Sequence, residues 1–392
     1  MKPRLVYFAT ADWYFCSHRL PLARAASAAG FDVHVVTNVE SHGELITGAG
    51  LSLVPLTLER GGLRPFAEAR TLFQLVRVLR KLKPDILHNV SLKPILYGCL
   101  ASSLVDVPCV VNALTGLGYV FTSRERLARA LRPPTETLLR RFLNQSGRRT
   151  IVQNTDDLSM LADRGILERH NSVLIRGSGV DLKQFSVSPE PAGAPVVVFP
   201  ARLLRDKGLL EFVAAARAMR ERGVRARFVL AGALDPDNPS NVTEAQTRQW
   251  CDAGWVEWIG FREDMAQVFR EAHVVCLPSY REGLPKALLE AAACARPLVA
   301  TDVPGCREIV RDGQNGILVP ARDPAALAGA LERLIDDPAL RARYGAASRH
   351  IASTEFSVET VCDQTLRVYR ELLAGACARQ SEGNSSCNTS SR

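Results

Sequence analysis

The chain has 392 residues, of which 47% are hydrophobic and 23% charged, and these proportions are typical of a soluble globular enzyme with two domains. No apolar stretch approaches the length of a membrane-spanning helix, and the N-terminal residues lack the apolar core of a secretory signal. The ten cysteines show no C-x-x-C pair or metal-type spacing, so we expect reduced thiols in a cytoplasmic protein.

The net charge of +8 belongs to the N-terminal half of the chain. Residues 1–190 contain 24 Lys and Arg against 16 Asp and Glu, whereas residues 191–392 contain 25 of each. This asymmetry predicts an anionic partner for the N-terminal half, and the alternative is a solvated basic surface. Leucine and phenylalanine recur among the basic residues of 70–83 and 124–149. That pattern favours an anionic membrane surface over nucleic acid, because no aromatic stacking platform accompanies it.

Apolar runs alternate with helical periodicity through the N-terminal half, which predicts a parallel, doubly wound sheet. Residues 12–19 are expected to form a long loop at the carboxyl end of the first strand. Residues 124–149 are expected to form a surface helix pair or an arm lying on anionic lipid. The predicted strands are 4–10, 31–37, 51–56, 86–89, 109–113, 150–153 and 172–176, and the predicted helices are 21–29, 70–82 and 94–104.

The stretch 186–195, with the sequence SVSPEPAGAP, has the composition of a linker. We therefore expect two domains, 1–185 and 196–357, followed by a helix at 358–375 and a disordered polar tail at 376–392. In the second domain the predicted strands are 196–199, 226–231, 255–259, 274–277 and 298–301, and a helix is predicted at 209–222.

The segment 274–294 combines a buried strand, a tight turn and a helix of small residues. Glu282 lies in the turn, and Glu290 follows eight residues later on the helix. Pro285 suits the first helical turn, where its missing N–H costs nothing. The turn follows the carboxyl end of the strand, which is where open α/β sheets bind their ligands.

This turn and a second cationic segment predict an anion site. The N–H groups near Gly283 and Leu284 lie at a helix start, which favours an anion such as a diphosphate. Arg202 and Lys207 follow the first strand of the second half, and the two can converge on a diphosphate as a forked donor and a mobile point charge. The alternative interpretation is two exposed cations at a helix start and two surface carboxylates.

These residues resemble the motifs of the family 4 retaining glycosyltransferases. Glu282 and Glu290 resemble the family's E-x7-E motif, whose first Glu contacts the transferred sugar and whose second holds the nucleotide ribose. Arg202 and Lys207 match its phosphate-binding Arg and Lys. The resemblance implies the α/β GT-B fold, with two Rossmann-like doubly wound domains facing across a cleft. The N-terminal domain would bind the acceptor and the C-terminal domain the nucleotide sugar, and the final helix would cross back to the first domain.

The resemblance is strong over roughly 170–335. The segments 177–181, 301–305 and 312–316 resemble family loops, and 258–262 resembles the strand end that receives the nucleobase. Arg202, Lys207 and Glu282 are the implied catalytic residues. The implied donor-binding residues are Arg202, Lys207, Arg262, Glu282, Gly283, Leu284, Pro285 and Glu290.

Segments 91–98, 112–121 and 231–240 resemble a bacterial branch that includes PglA-like N-acetylhexosaminyltransferases acting on polyprenyl-diphosphate sugars. The chain departs from the family where Thr115 precedes Gly116, since many members have a histidine before this glycine, so we expect no direct histidine role at this position. It departs again where 12–19 replaces a glycine-rich first loop. For His18, a local bond at a helix start is the alternative to acceptor binding. The candidate acceptor-binding residues are His18, Arg19, Lys93, Thr115 and Gly116.

The implied reaction is transfer of a hexose or N-acetylhexosamine, with retention, from a nucleotide diphosphate, expected to be UDP. The acceptor would be a polyprenyl-diphosphate-linked or other lipid-linked glycan in cell-surface polysaccharide, lipopolysaccharide or glycoprotein glycan assembly. The enzyme would associate peripherally with the inner face of the cytoplasmic membrane. We expect no cofactor and no metal, because 235–237 (Asp-Pro-Asp) is a proline-containing loop and not a metal-bridging pair at a strand end.

The alternatives are a sugar-nucleotide epimerase of the same fold and a non-catalytic glycan-binding protein. An NAD-dependent dehydrogenase would also have doubly wound domains. It would need a G-x-G-x-x-G sequence after a strand, and the run that starts at Gly116 lacks the third glycine.

Overall fold

The computed structural model describes residues 2–58, 65–117, 120–121 and 126–387. The chain divides into two compact units. The first combines the residues up to Ser178 with those from Glu359 onward, and the second is Gly179–Val358. In the described residues, each unit contains a parallel β-sheet with helices between its strands, seven strands in the first and six in the second. The predicted α/β class with two Rossmann-like domains is confirmed.

The sheet of the first unit has the strand order β3-β2-β1-β4-β5-β6-β7. Its strands are β1 Arg4–Ala11, β2 Asp32–Asn38, β3 Ser52–Pro55, β4 Ile86–Val90, β5 Cys109–Leu114, β6 Arg148–Val152 and β7 Ser172–Leu174. Its helices before the second unit are α1 Asp12–His18, α2 Leu20–Ala28, α3 Gly43–Gly48, α4 Pro65–Leu82, α5 Leu92–Leu104, α6 Arg126–Leu143 and α7 Thr155–Asp163.

The sheet of the second unit has the strand order β10-β9-β8-β11-β12-β13. Its strands are β8 Val196–Phe199, β9 Arg227–Leu230, β10 Glu257–Trp258, β11 Val274–Leu277, β12 Leu298–Thr301 and β13 Gly316–Val319. Its helices are α8 Leu209–Glu221, α9 Glu244–Asp252, α10 Met265–Arg270, α11 Lys286–Ala293, α12 Cys306–Ile309, α13 Pro324–Asp336 and α14 Pro338–Glu355, and the last described helix is α15 Val358–Cys387.

Strand β1 shows how helices cover both faces of the first sheet. Val6 and Phe8 share one face and belong to the same buried cluster as Leu75 of α4. Tyr7 lies between them and therefore points to the opposite face. Its hydroxyl oxygen lies 3.0 Å from that of Tyr369 on α15, and both side chains are fully buried. Helix α15 thus packs on the first unit, to which the sequence resemblance implied that it would return.

Residues 12–19 do not form the predicted long loop, because 12–18 fold into helix α1. This stretch contains no glycine or proline to interrupt a helix. One turn apart on α1, the rings of Tyr14 and His18 stack with centroids 4.4 Å apart. The carboxyl end of β1 is therefore followed by regular structure.

The stretch 186–195 belongs to the second unit and is not a free linker. Arg341 Nη2 binds Glu190 Oε1 at 2.5 Å, and Arg296 Nη2 binds Ser188 Oγ at 2.6 Å. Both arginines are more than 100 residues away in the sequence. The composition of 186–195 predicted a flexible linker. This prediction was wrong because composition contains no information about such distant partners.

Two further predictions about helices differ from the structure. Within 124–149, residues 126–143 form the single helix α6, with Pro133 and Pro134 inside it, and not a pair. Helix α15 continues to Cys387, through most of the predicted disordered tail at 376–392, and 388–392 lie outside the described residues. Among the helices described, none is both long and apolar enough to cross a membrane.

The buried carboxylate of Asp12 connects α1 to the loop after β2. Its Oδ2 accepts backbone N–H bonds from Glu40, Ser41 and His42 at 2.9, 3.0 and 2.6 Å, and its Oδ1 accepts from Trp13 at 2.7 Å. Burial raises the pKa of Asp12, but the backbone donors outweigh it and hold the pKa below its usual value. The carboxylate is therefore a stabilising contact in its charged form.

Replacing Asp12 by asparagine is expected to destabilise the first unit by about 1–3 kcal/mol at neutral pH, since the amide directs N–H groups at backbone donors. The wild-type advantage is present above the usual carboxyl pKa and is lost as the pH falls through the lower folded-state pKa. Urea unfolding of both proteins measures the difference. A difference in unfolding free energy that stays constant from neutral pH to about pH 3 would contradict this role.

Candidate active site

Lys207 and Glu282 meet in the second unit, as the sequence predicts for residues of one site. Lys207 lies in a short 3-10 turn, Arg205–Lys207, after β8, and Glu282 lies in the turn after β11. Lys207 Nζ donates to Glu282 Oε1 at 2.5 Å, and Ser279 Oγ donates to the same oxygen at 2.6 Å. Because the Glu282 side chain is only 11% exposed, this ion pair is well shielded from water.

Backbone hydrogen bonds join the loops that carry these side chains. Tyr280 N donates to the carbonyl of Asp206 at 2.9 Å, which holds the turn after β11 against the turn after β8. Glu282 N donates to the carbonyl of Pro304 at 3.3 Å, which adds the loop after β12. The position of Glu282 therefore depends on three neighbouring strand ends.

Two glycines allow these loops to approach so closely. Gly208 has φ +73°, and a Cβ there would collide with the carbonyl of Pro278. Gly305 has φ +80°, and a Cβ there would collide with the carbonyl of Gly283. A residue with a side chain would force the turns apart at both points.

Arg202 is paired with Asp235 from the loop after β9. Leu203 N donates to the carbonyl of Ala233 at 2.9 Å, so the loops after β8 and β9 run side by side. A Cβ at Gly232 would collide with the carbonyl of Ala201, which again requires glycine at the point of contact. The Arg202 side chain is 48% exposed, so its guanidinium stays accessible to a ligand.

Glu290 lies on α11 with its side chain buried, and its residue exposure is 8%. Lys286 Nζ, one turn earlier on the helix, lies 3.1 Å from Glu290 Oε1. Burial raises the pKa of Glu290, and the nearby Lys286 offsets this only in part. The carboxylate is thus held in a sheltered position, where an additional hydroxyl partner would satisfy it.

Between the two glutamates, Gly283, Leu284 and Pro285 form the entry to α11. Pro285 is the N-cap residue and the helix begins at Lys286, so the proline lies just before the first helical turn and not within it. Its φ of −74° is the value that its ring imposes. The half-buried side chain of Leu284 packs against the apolar core of the unit and anchors the turn.

Arg262 forms an ion pair of its own, with Asp264. Its Nη2 and Nε bind the two carboxylate oxygens of Asp264 at 2.5 and 2.7 Å, which raises the pKa of Arg262. Nearby, Trp258 Nε1 donates to the carbonyl of Gly232 at 2.8 Å. The strand end of β10 is thereby tied to the loop that contains Asp235.

The predicted acceptor residues lie in the first unit. His18 stacks on Tyr14, and Lys93 Nζ binds Glu68 Oε1 at 2.8 Å. Arg19 is only 3% exposed. Its Nε and Nη2 atoms have no hydrogen-bond partner in the described part of the chain, so the buried guanidinium retains unused donors.

Thr115 and Gly116 come directly after β5, and both are half-buried. His18 and Arg19 follow β1 through α1, and Lys93 follows β4. Since β4 and β5 are adjacent parallel strands, Lys93, Thr115 and Gly116 lie beyond the same edge of the sheet. Arg19 is buried at the far end of α1, so the strand order does not group it or His18 with these three. The acceptor-binding role of these residues stays a prediction.

Two residues that bind the predicted side chains, Ser279 and Asp235, were not predicted as parts of the site. Ser279 has a sequence signal, since it lies three residues before Glu282 in the same turn. Asp235 has none, because it is 33 residues from Arg202. Across the described ranges, no group of three or more His, Cys, Asp and Glu residues is arranged to hold a metal ion. The absence of a metal from the reaction stays a prediction.

Comparisons with known proteins agree with this arrangement of domains. Residues 4–154 match the family described as glycosyl transferase 4-like, and residues 194–337 match the glycosyl transferases group 1. The solved structure of HepE from Anabaena in complex with UDP and glucose has a TM-score of 0.78 at 19% identity. The match covers 94% of this chain and all of that one, and it shows the GT-B fold.

Two characterised relatives support the same assignment. The N,N'-diacetylbacillosaminyl-diphospho-undecaprenol alpha-1,3-N-acetylgalactosaminyltransferase of Campylobacter jejuni is 25% identical over 91% of this chain and 95% of its own length. The D-inositol 3-phosphate glycosyltransferase of Nocardiopsis dassonvillei is 31% identical over 71% of this chain and 68% of its own length. With both domain matches and the site geometry in place, the chain belongs to the family 4 glycosyltransferases.

Proposed function

We propose that this glycosyltransferase moves a hexose or N-acetylhexosamine from a UDP-linked donor to a lipid-linked glycan, with retention of the anomeric configuration. The observation that carries the proposal is the contact between the Lys207 ammonium and the Glu282 carboxylate beyond β8 and β11. The Campylobacter relative is named for transfer to a diphospho-undecaprenol substrate, and the HepE structure contains UDP. Both names support these substrate classes.

Donor binding in this proposal is an exchange of partners. The diphosphate contacts Arg202 and Lys207, which now bind the carboxylates of Asp235 and Glu282. A diphosphate presents more negative charge and more acceptor oxygens than a carboxylate, so it competes well for both cations. Glu282 then accepts bonds from sugar hydroxyls while Ser279 continues to orient it.

The chemical step breaks the bond between C1 of the sugar and a diphosphate oxygen, which keeps the bonding electrons. A new bond forms between C1 and the oxygen of the acceptor hydroxyl, whose proton passes to the leaving diphosphate. Positive groups aimed at the leaving diphosphate oxygen stabilise the transition state more than the ground state. Arg202 and Lys207 serve this purpose, together with N–H groups of the turn near Gly283 and Leu284. Glu290 holds the nucleotide ribose.

The first unit binds the acceptor and places the enzyme at a membrane. His18, Arg19, Lys93, Thr115 and Gly116 are the proposed acceptor residues, and the unused donors of buried Arg19 support an anionic group there. The excess of basic residues in the N-terminal half supports peripheral association with the anionic inner face of the cytoplasmic membrane.

Incubation with labelled UDP-sugars and a polyprenyl-diphosphate-linked sugar tests the function. Label is expected to enter the organic phase as a longer lipid-linked glycan, and NMR of the new linkage is expected to show the anomeric configuration of the donor. Epimerised UDP-sugar without transfer, or binding without turnover, would overturn the proposal.

Arg202→Ala and Lys207→Ala are each expected to lower kcat by about 10²–10³, because each removes a charged donor from the leaving diphosphate. Arg205→Ala is the matched control, since Arg205 is an exposed cation in the same turn. Steady-state kinetics and thermal melts measure the effects. Either residue is structural if its variant melts earlier but turns over at the wild-type rate.

Glu290→Ala is expected to weaken UDP binding about 10- to 100-fold, because the ribose loses a charged hydrogen-bond acceptor. Isothermal titration calorimetry with UDP measures the change. Glu332→Ala, on α13, is a control at a carboxylate outside the site. An unchanged Kd for Glu290→Ala would remove the ribose assignment.

Asp235→Asn is expected to tighten UDP binding about 1.5- to 5-fold at low salt, because the diphosphate no longer has to displace an ion-paired carboxylate from Arg202. Asp237→Asn removes the same charge from an exposed position in the same loop and controls for the general field. Calorimetry with UDP measures the affinities of the wild type and of the two variants. Equal affinity gains in both variants would rule out specific competition by Asp235.

A further inference from the structure

Helix α4 has apolar residues on two opposite sides. Leu75 and Leu79 are buried in the core of the first unit. Phe66 and Phe73 lie on the other side and are 91% and 68% exposed. Seven residues span about two helical turns, so the two rings lie in one row along the helix. Large aromatic rings exposed in a row mark an interaction surface.

Arginines alternate with these rings. Arg70 and Arg77 each follow a phenylalanine by four residues, and both are exposed. Glu68 is the only acidic residue in the sequence of α4, and it is half-buried in an ion pair with Lys93 on α5. The row Phe66, Arg70, Phe73 and Arg77, here called the α4 face, therefore combines apolar and positive groups without a negative charge from its own helix.

The other basic helix, α6, is less suited to the same partner. Arg132 and Arg140 donate to backbone carbonyls of the first unit, and Glu136 places a negative charge on the helix. Its exposed apolar residues, Leu127 and Leu138, are 57% and 45% exposed and include no aromatic ring. Aromatic rings are the side chains that best occupy the boundary between lipid headgroups and acyl chains.

We propose that the α4 face docks on an anionic lipid bilayer, with the rings of Phe66 and Phe73 entering the headgroup boundary and Arg70 and Arg77 contacting lipid phosphates. The positive charge of the α4 face is complementary to the negative charge of the lipid headgroups, which favours an anionic bilayer as its partner. The inference rests on the proposed function in one respect, that the acceptor is a lipid. The proposal assigns membrane contact to four residues of α4, and we expect a smaller contribution to membrane binding from α6.

Co-sedimentation with vesicles tests the assignment. The vesicles consist of phosphatidylcholine alone, or of phosphatidylcholine with about one third phosphatidylglycerol. Phe66→Ser with Phe73→Ser removes the rings, and Phe261→Ser is the matched control, since Phe261 is 70% exposed in the second unit. Arg70→Gln with Arg77→Gln removes two charges, and Arg126→Gln with Arg129→Gln removes two exposed charges from α6.

We expect the wild type to bind the anionic vesicles and to be released by salt. Replacement of the two α4 arginines is expected to lower the partition coefficient about 10- to 30-fold, and replacement of the two phenylalanines is expected to lower it at least about tenfold. The Phe261 control and the α6 pair should stay within about threefold of the wild type. The proposal is overturned by wild-type recovery in the supernatant under all conditions, by a phenylalanine pair that binds normally, or by an α6 pair that loses as much as the α4 pair.

Phe73→Trp supplies a direct readout of depth. Brominated phospholipids in the anionic vesicles are expected to quench the fluorescence of this variant more than that of the wild type. Equal quenching of the two proteins would show that the ring stays outside the bilayer and would overturn the proposal. Dimers that dissociate on replacement of the two phenylalanines, without vesicle binding by the wild type, would assign the face to a second copy instead.

UDP calorimetry separates this inference from the proposed function. The α4 variants are expected to keep the wild-type Kd for UDP and the wild-type melting temperature, because the donor residues all belong to the second unit. Vesicle binding with no transfer activity would leave the docking surface intact and remove the enzymatic proposal. Transfer to a detergent-dispersed acceptor with no vesicle binding would support the enzymatic proposal and overturn the docking surface.

Discussion

The pairing of β8 with β11 is the constraint on which the donor site depends. Val197 and Val198 of β8 lie beside Val274 and Val275 of β11, although the two strands are far apart in the sequence. Because the strands are parallel, their carboxyl ends reach the same edge of the sheet, and the turns that follow must share that edge. A lysine after one strand then lies within hydrogen-bond distance of a glutamate after the other.

Charge compensation holds the cationic side chains of this site in place. Lys207 is paired with Glu282 and Arg202 with Asp235, so neither cation is left without a counter-charge. The two pairs differ in setting, since Glu282 is also held by Ser279 and lies deeper than the exposed Arg202 guanidinium. Exchange of a carboxylate for a diphosphate therefore costs less at the exposed Arg202 pair than at the shielded Lys207 pair.

The first unit uses the same doubly wound plan but distributes its charges differently. Val6 and Tyr7 are adjacent on β1 and point to opposite faces of the sheet. Val6 packs on the face covered by α4, and Tyr7 contacts α15 on the other face. Once its leucines are buried, α4 has only its outer side left for Phe66 and Phe73. The exposed rings and arginines are therefore a consequence of which side of the helix the core has occupied.

The sequence by itself determined the strands 196–199, 274–277 and 298–301 to the residue, because a strand buried on both faces is a continuous apolar run that turn residues interrupt. It also grouped Arg202, Lys207, Glu282 and Glu290 into one expected site, through motifs that resemble a family. Only the tertiary structure decided which groups pair and that 186–195 packs on its own unit. These features depend on strand order and on contacts between distant residues, whereas periodicity and composition describe only local preferences.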